Sequence, residues 1–584
     1  MTAYVFDIEA DGLDPTKIWC IVAVETTTGK VFKYDPTQLE QGLKLLESAE
    51  KLIGHNILGY DIPVIKKLCG VDLLEGKKIV DTLVLSRLFN PSREGGHGLE
   101  SWGYRLQYNK IEFKEFECYT PEMLEYCERD VLLNLRVYRN LQLESKGFSP
   151  ECVQIEHETY KILNAQRNTG FLIDMQHATM LAARLNQKLS EAENKVQETF
   201  LPKESRMVLK PVFTKAAKVS KMAQLVGSSK KVRLSDEEYA IALDKPSQDI
   251  IRVDSLPFNL GSRKQIGEYL IEFGWKPLKF TPTGQPIVDE VTLSKIANIP
   301  EAKVIAQYLM LQKRIAQVNS WIKETQEDCR VRGYVNTNGA VTGRMTHSSP
   351  NMAQVPSTNS PYGQDCRACW TVPQGYKLVG IDASGLELRM LAHYMNDKEY
   401  TNEILNGDVH TSNQKLAGLE SRNQAKTFIY ALLYGAGDGK LGSVVGGTSK
   451  HGAKLRQRFF DNLPSFKSLK DRVARASTKG YLKGVDGRKI FIRSEHAALN
   501  SLLQGAGAIV MKKAVVIFND KLKEMDARFV ANVHDEWQLE VKEELSDKVG
   551  QLGVDSIVEA GIQLGLNCKL DGEYNVGNNW AETH

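Results

Sequence analysis

Six carboxylates stand in this chain at spacings that suit divalent cations. Asp7 and Glu9 are two apart in YVFDIEADGL, and residues two apart in a strand point to one face. Side by side they repel unless a cation lies between them. GHNILGYD adds Asp61, and YCERD adds Tyr126 and Asp130, whose i, i+4 spacing places them on one face of a helix. Four carboxylates and a tyrosine can hold two divalent ions and orient a water. Two such ions can clamp the attacking and leaving oxygens of a phosphodiester, so these residues suggest hydrolysis of a nucleic-acid strand.

The last two carboxylates lie far down the chain. In VANVHDEWQLEV an alternating strand pattern is broken by His534-Asp535-Glu536 and then resumes, which predicts a hairpin with acids at its tip. Such acids are costly to bury unless a cation meets them. Asp382 ends the apolar run LVGID ahead of the helical GLELRMLAHYM. Together Asp382 and Asp535 would form a site for two magnesium ions, one acting on a hydroxyl nucleophile and one on a triphosphate. Cations for that triphosphate occur in RNQAKTFIYALLYG. Arg422, Lys426, Tyr430 and Tyr434 recur every four residues, so a four-turn helix would present two positive groups and two rings on one broad face.

The elements that must carry these residues can be read from the pattern. Residues 1–140 alternate strands with helical stretches such as DTLVLSRLF and PEMLEYCERDVLLNLRVYRNL. Helical, charged sequence follows to about 200. Residues 203–233 then hold nine Lys and Arg (Lys203, Arg206, Lys210, Lys215, Lys218, Lys221, Lys230, Lys231, Arg233) against one acid, Glu204, as a basic insertion would. From about 330, Gly-rich turns, strands and long helices mix. The 584 residues are 42% hydrophobic and 25% charged with net charge +3, the composition of a globular multidomain protein. No apolar run reaches the ~18 residues of a membrane span. Asp7 and Glu9 lie where a signal peptide needs an apolar core, and nine scattered cysteines fit a reducing compartment. Cys366 and Cys369 form a lone CxxC without the further ligands a zinc site needs.

DIE, NxxxYD and YxxxD resemble the three motifs of DEDDy-type 3′–5′ exonucleases, the proofreading domains of DNA polymerases. NTNGAVTGRMTHSSPNMAQVP, the Asp382 segment, NGDVHT, the Arg422–Tyr434 helix, HAALNSLLQGAGA and VHDE resemble the DNA polymerase I family (family A), in particular the replicative polymerases of short-tailed lytic bacteriophages. The resemblance covers nearly the whole chain. It implies an α/β and α+β multidomain fold: an RNase H-like exonuclease domain at 1–145, a thumb at 146–330 with the basic insertion at about 201–256, palm at 331–394 and 500–584, and fingers at 395–499. It implies that Asp7, Glu9, Asp61 and Asp130 bind exonuclease metals and that Tyr126 positions the water. Asp382, Asp535 and the carbonyl of Ala383 would hold the polymerase metals. Two Mg²⁺ per site are expected, with Mn²⁺ as a substitute.

By the same resemblance His410, Arg422 and Lys426 hold the incoming triphosphate, and Tyr434 stacks at the templating end of its helix. Glu387 closes the space of a ribose 2′-hydroxyl. Arg344, Gln354, Gln504 and His534 contact primer–template DNA near the growing end, and Glu536 supports the hairpin. Tyr430 stands where cellular relatives carry Phe, which implies ready use of dideoxynucleotides. Expected partners are primer–template DNA, dNTPs, and the phage helicase–primase and single-stranded-DNA-binding protein; the basic thumb insertion would bind either host thioredoxin as a processivity factor or the duplex backbone directly. No 5′-nuclease segment precedes Asp7, and a monomer in the bacterial host's cytoplasm is expected. A single-subunit RNA polymerase would lack the exonuclease and the Glu387 gate. A DNA-binding homologue without catalysis would have lost a metal carboxylate, and a pure exonuclease would not need the Arg422–Tyr434 helix.

Overall fold

The computed structural model describes residues 2–214 and 216–584, so Lys215 of the basic run lies outside the described residues. Contacts divide the chain into two compact units, Met1–Met175 with Glu324–His584, and Gln176–Lys323.

The first unit begins with strands β1 (Ala3–Ala10), β2 (Ile18–Glu25), β3 (Val31–Tyr34), β4 (Lys51–Gly54) and β5 (Lys78–Asp81). They form one sheet in the order β3-β2-β1-β4-β5, in which β1 pairs antiparallel with β2 and parallel with β4. In β1, Val5, Phe6 and Ile8 are buried on alternating faces, as expected of a central strand covered on both sides. Helices α1 (Leu39–Ser48), α2 (Asp61–Cys69), α3 (Thr82–Phe89), α4 (Leu99–Arg105), α5 (Pro121–Glu144) and α6 (Pro150–Thr169) complete this region. Thr120 and Ser149 cap α5 and α6, each followed by proline at the first helical position, where a missing N–H costs nothing.

The remainder of this unit is built on an antiparallel four-stranded sheet. Its strands are ordered Ala527–Val533, Glu536–Lys542, Tyr376–Ala383 and Gly572–Gly577. Helices Ala498–Lys521 and Ser546–Gln563 pack on it, with Phe518 stacked on Trp537 at 5.5 Å. Helix Ala498–Lys521 has the length and apolarity of a membrane span, but 78% of that window is buried within the protein, so it is a core helix here. Six helices lie between Lys398 and Ser477.

The second unit contains helices Met175–Gln197, Arg263–Glu272 and Pro300–Glu324 around a core of Phe200, Phe258, Tyr269 and Trp275. The stretch 146–175 lies outside this unit, because α6 packs on helix Ala498–Lys521 and on strand Ala527–Val533 of the first unit. One sequence expectation changes here. The insertion, read from its charge on a helical background, forms a four-stranded sheet with one helix. Strands Ile250–Leu256, Lys203–Phe213, Val219–Leu225 and Lys231–Arg233 lie side by side, and helix Asp236–Asp244 covers one face. The period-two alternation of IIRVDSL and VSKMAQL favours strands there.

Two candidate active sites

The first site gathers on the amino-terminal sheet. The ligand atoms of Asp7, Glu9 and Cys127 lie within 4.8 Å of one another. Asp61, the first residue of α2, turns back to β1 and accepts the Ile8 N–H at 3.1 Å through Oδ1. Tyr126 and Asp130 share one face of α5, and the same cleft is lined by Asp7, Glu9, Asp61, Tyr126 and Asp130. Burial and the neighbouring carboxylates raise Asp7 well above the carboxylate range. Burial, the Cys20 thiol and Asp130 bring Glu9 to about 9, and burial brings Asp61 to about 6. Clustered acids strained in this way suit a bound cation, which would favour their charged forms. Asp130 Oδ1 is buried without a hydrogen-bond partner, a further lone pair suited to a metal.

One cation in this site escaped the motif reading. Lys110 Nζ lies 2.6 Å from Asp130 Oδ2 and 2.8 Å from the Tyr126 hydroxyl. Burial works against its charge, but Asp130 and Tyr126 outweigh that and raise its pKa. It also stands 4.8 Å from the Tyr126 ring centroid, while Phe113 stacks on that ring at 5.4 Å. The loop between α4 and α5 thus fixes the tyrosine's hydroxyl and plane. Only a KxxF spacing, Lys110 to Phe113, hinted at it.

The second site forms where two palm strands end. Asp382 is the penultimate residue of strand Tyr376–Ala383, opposite Glu536 on one side and Glu573 on the other. The Ala383 N–H donates to the Asp535 carbonyl at 3.1 Å, which locks the hairpin tip to the strand end. His534 makes the tight turn at φ +58°, a left-handed conformation that His enters more readily than most residues. Burial, Asp535 and then Glu536 raise Asp382 to about 7. Glu536 turns away from the cleft. It accepts from Trp580 and from Gln538 at 2.7 Å, and His584 Nδ1 lies 3.1 Å away. His584 is the last residue, and no spacing in the sequence pointed to it.

Arg344, Glu387, Gln504, His534 and Asp535 line one cleft. Gln354 does not join them; it is exposed on the short turn Met352–Gln354. The cationic helix runs Arg422–Leu433, started by a capping box between Ser421 and Gln424, and ends one residue before Tyr434. Tyr434 is its C-cap, because Gly435 follows at φ +74° and turns the chain. This lets the Tyr434 hydroxyl donate to Glu387 Oε2 at 3.0 Å, joining this helix end to helix Leu386–Met395. Glu387 Oε1 is buried without a partner. The Tyr430 ring lies 6.2 Å from His410 and 6.3 Å from Tyr434. Lys426 is exposed. Arg422 is already paired, its Nε 2.7 Å from Asp408 Oδ2. Asp408, missed in the sequence, also caps helix Val409–Ala417 through the N–H groups of His410 and Thr411.

A palm sheet ending in paired acids, faced by a helix of cations and rings, defines a template-directed nucleotidyltransferase. The comparisons agree. Residues 229–582 match the DNA polymerase family A model. The DNA-directed DNA polymerases of Enterobacteria phage T3 and Escherichia phage T7 are each 33% identical over 99% of this chain and 100% of their own length. DNA polymerase I of Pseudomonas aeruginosa is 30% identical over 59% of this chain and 40% of its own. A solved structure, the POL domain of Pol1 from M. smegmatis in complex with DNA primer-template and dNTP, shares the fold. Its TM-score is 0.77 at 18% identity, covering 100% of this chain and 96% of that one. The chain belongs to DNA polymerase family A, whose members are metal-dependent DNA-directed DNA polymerases.

Proposed function

We propose that the chain extends a DNA primer with dNTPs at the palm and removes 3′-terminal nucleotides at the amino-terminal sheet, as a replicative polymerase of a phage in the bacterial cytoplasm. The observation that carries the first activity is the Ala383 N–H bonded to the Asp535 carbonyl at 3.1 Å, which sets Asp535 beside Asp382, whose carboxyl is raised to about 7 by burial and Asp535, a pair that favours divalent cations. Asp382 and Asp535 with the Ala383 carbonyl would hold two Mg²⁺, or Mn²⁺ in their place. Bound there, the ions would ease deprotonation of the primer hydroxyl and neutralise charge on the triphosphate.

The chain's own groups do the rest. Arg422, Lys426 and His410 receive the triphosphate, and Asp408 must release Arg422 for it. Tyr434 holds Glu387 where a 2′-hydroxyl would enter, so ribose is excluded by an already anchored carboxylate. Arg344, Gln504 and His534, which line the cleft, meet the primer–template end. At the amino-terminal site Asp7, Glu9, Asp61 and Asp130 would hold two further ions. Tyr126, fixed by Lys110, orients the attacking water.

The insertion supports a protein partner. Arg206, Lys210, Lys231 and Arg233 share the sheet face opposite its helix with Val208, Ile251 and Val253. Ile251 and Val253 are 65% and 50% exposed. Basic side chains around aliphatic ones suit an acidic-rimmed apolar surface, and host thioredoxin is the partner proposed. The phage helicase–primase and single-stranded-DNA-binding protein are proposed to act with the same enzyme, itself a monomer.

The test is extension and shortening of a labelled recessed 3′ end with Mg²⁺, with and without dNTPs. Asp382→Asn should lose extension by roughly 10³-fold, a few kcal/mol of transition-state stabilisation, and keep shortening. Asp7→Ala should do the reverse. Extension from NTPs as readily as from dNTPs would refute the gate. An Asp7→Ala variant that still shortens the strand would refute the exonuclease.

A further inference from the structure

Asp81 ends β5 fully buried and belongs to neither set of catalytic carboxylates. It accepts four backbone N–H groups: Asn56 at 3.0 Å, Leu58 at 3.1 Å, Leu83 at 2.9 Å and Val84 at 3.3 Å. The last two cap α3. The first two belong to the loop between β4 and α2 that delivers Asp61. The hydroxyl of Thr82, next in sequence, lies 3.1 Å from the Gly54 carbonyl, 2.8 Å from Asn134 Oδ1 and 2.9 Å from His55 Nδ1. Asn134 is one turn beyond Asp130 on α5. Asp81 and Thr82 therefore tie together the two elements that carry Asp61 and Asp130.

This hub is held from outside by α6. His157 Nδ1 lies 2.8 Å from the Val153 carbonyl, to which it donates, so Nε2 is free to accept the Asp81 N–H at 2.9 Å. Burial lowers the His157 pKa, in keeping with a neutral ring that accepts on one side. The Tyr160 hydroxyl donates to Asn56 Oδ1 at 2.6 Å, and Asn164 Nδ2 donates to the Leu58 carbonyl at 3.0 Å. The steps 157, 160 and 164 follow one helix face. The loop fits tightly against it: a Cβ on Gly59 would lie 2.8 Å from the Tyr160 hydroxyl and strike Asn56 Oδ1. At the adjacent position Glu156 accepts from Arg488 and Lys512 of the polymerase half, all three buried. The helix is thus anchored on one side by charges and grips the exonuclease loop on the other.

We propose that α6 is a positioning strut for the exonuclease, with His157 and Tyr160 fixing, through Asp81 and Asn56, the loop that presents Asp61 to the metals. Residues of a helix rooted in the polymerase half set the geometry of the other site. The inference rests on the exonuclease reading above. Ligands oriented by a supporting hydrogen bond lose metal affinity and rate when that bond is cut.

The experiment uses the full chain with His157→Phe, His157→Gln and Tyr160→Phe. A single-stranded 3′-labelled oligonucleotide is shortened across a Mg²⁺ titration, and dNTP extension is measured beside it. His157→Phe and Tyr160→Phe should slow shortening about 10-fold and raise the half-saturating Mg²⁺ several-fold, with KM for the oligonucleotide and the extension rate unchanged. Gln at 157 can accept the Asp81 N–H through Oε1 and should restore both values. Shortening by His157→Phe at the wild-type rate and Mg²⁺ dependence would overturn the strut, as would a parallel fall in extension or no recovery with Gln. A wild type no faster than Asp7→Ala would instead remove the exonuclease reading itself, and the strut with it.

Discussion

Asp7, Glu9, Asp61 and Asp130 sit on a covered sheet and the helices packed against it, and Lys110 already provides a cation among them. Asp382 and Asp535 stand where strands end, and the cations proposed to complete their site lie on the exposed face of helix Arg422–Leu433, where Arg422 is paired with Asp408. The first centre is assembled by folding alone. The second is divided between strand ends and a helix, and under the proposed function the nucleotide completes it, its phosphates competing with Asp408 for Arg422. The difference matches the two reactions. Hydrolysis needs only a strand end and water, so rigidity serves it. Selection among four nucleotides gains when the correct one assembles the site.

This contrast can be broken where it is sharpest. If Lys110 is the built-in cation of the first site, Lys110→Met should slow shortening of a single-stranded oligonucleotide by about 10- to 100-fold and leave extension intact. Equal losses in both activities would mean that Lys110 serves the fold rather than one site. At the second site the Tyr430 ring lies 6.2 Å from His410 and 6.3 Å from Tyr434, and burial together with Glu387 and Asp535 raises its phenol. Tyr430→Phe should increase discrimination against dideoxynucleotides at least about 10-fold, the worth of one hydrogen bond to a charged neighbourhood. An unchanged ratio of incorporation rates would remove that role.

The smallest effect is thermal. In metal-free protein the raised acids keep their protons on folding, whereas unfolded carboxylates release them near pH 4. Between there and the raised values, about 6 for Asp61, 7 for Asp382 and 9 for Glu9, the folded state binds more protons. Stability therefore falls as pH rises through that window. With EDTA present, Tm should drop by roughly 2–5 °C from pH 5 to pH 9, and Mg²⁺ should flatten the slope. A metal-free Tm that rises over this range would contradict the strained-acid description of both sites.

Residues near one another in sequence, or bound to a strict spacing, were legible. The Asp7/Glu9 pair, the Tyr126/Asp130 face, the acid-tipped hairpin and the strand ending at Asp382 all follow from periods of two and of about four. Residues whose partners come from elsewhere in the chain were not. Asp408 reads as a cap, and only folding sets its carboxylate on Arg422. His584 meets Glu536 across 48 positions, and Asp81 meets His157 across 76. The insertion misled for another reason: its charge is conspicuous and its strand alternation faint, yet burial of Leu209, Ala223 and Ile250 under one helix decided for strands. Tyr434 fits the helical spacing, but Gly435 ends the helix before it.

The sequence by itself determined which carboxylates, cations and rings are available, and which local elements carry them, because strand and helix periods act over a few residues. Tertiary structure alone decided which of those groups meet. It turned a basic insertion into a sheet, spent Arg422 on Asp408 and Tyr434 on Glu387, placed Lys110 among the amino-terminal acids, and set α6 between the two centres. The physical reason is that burial and hydrogen-bond satisfaction are settled by the whole packed chain, and neither quantity is a property of any short stretch.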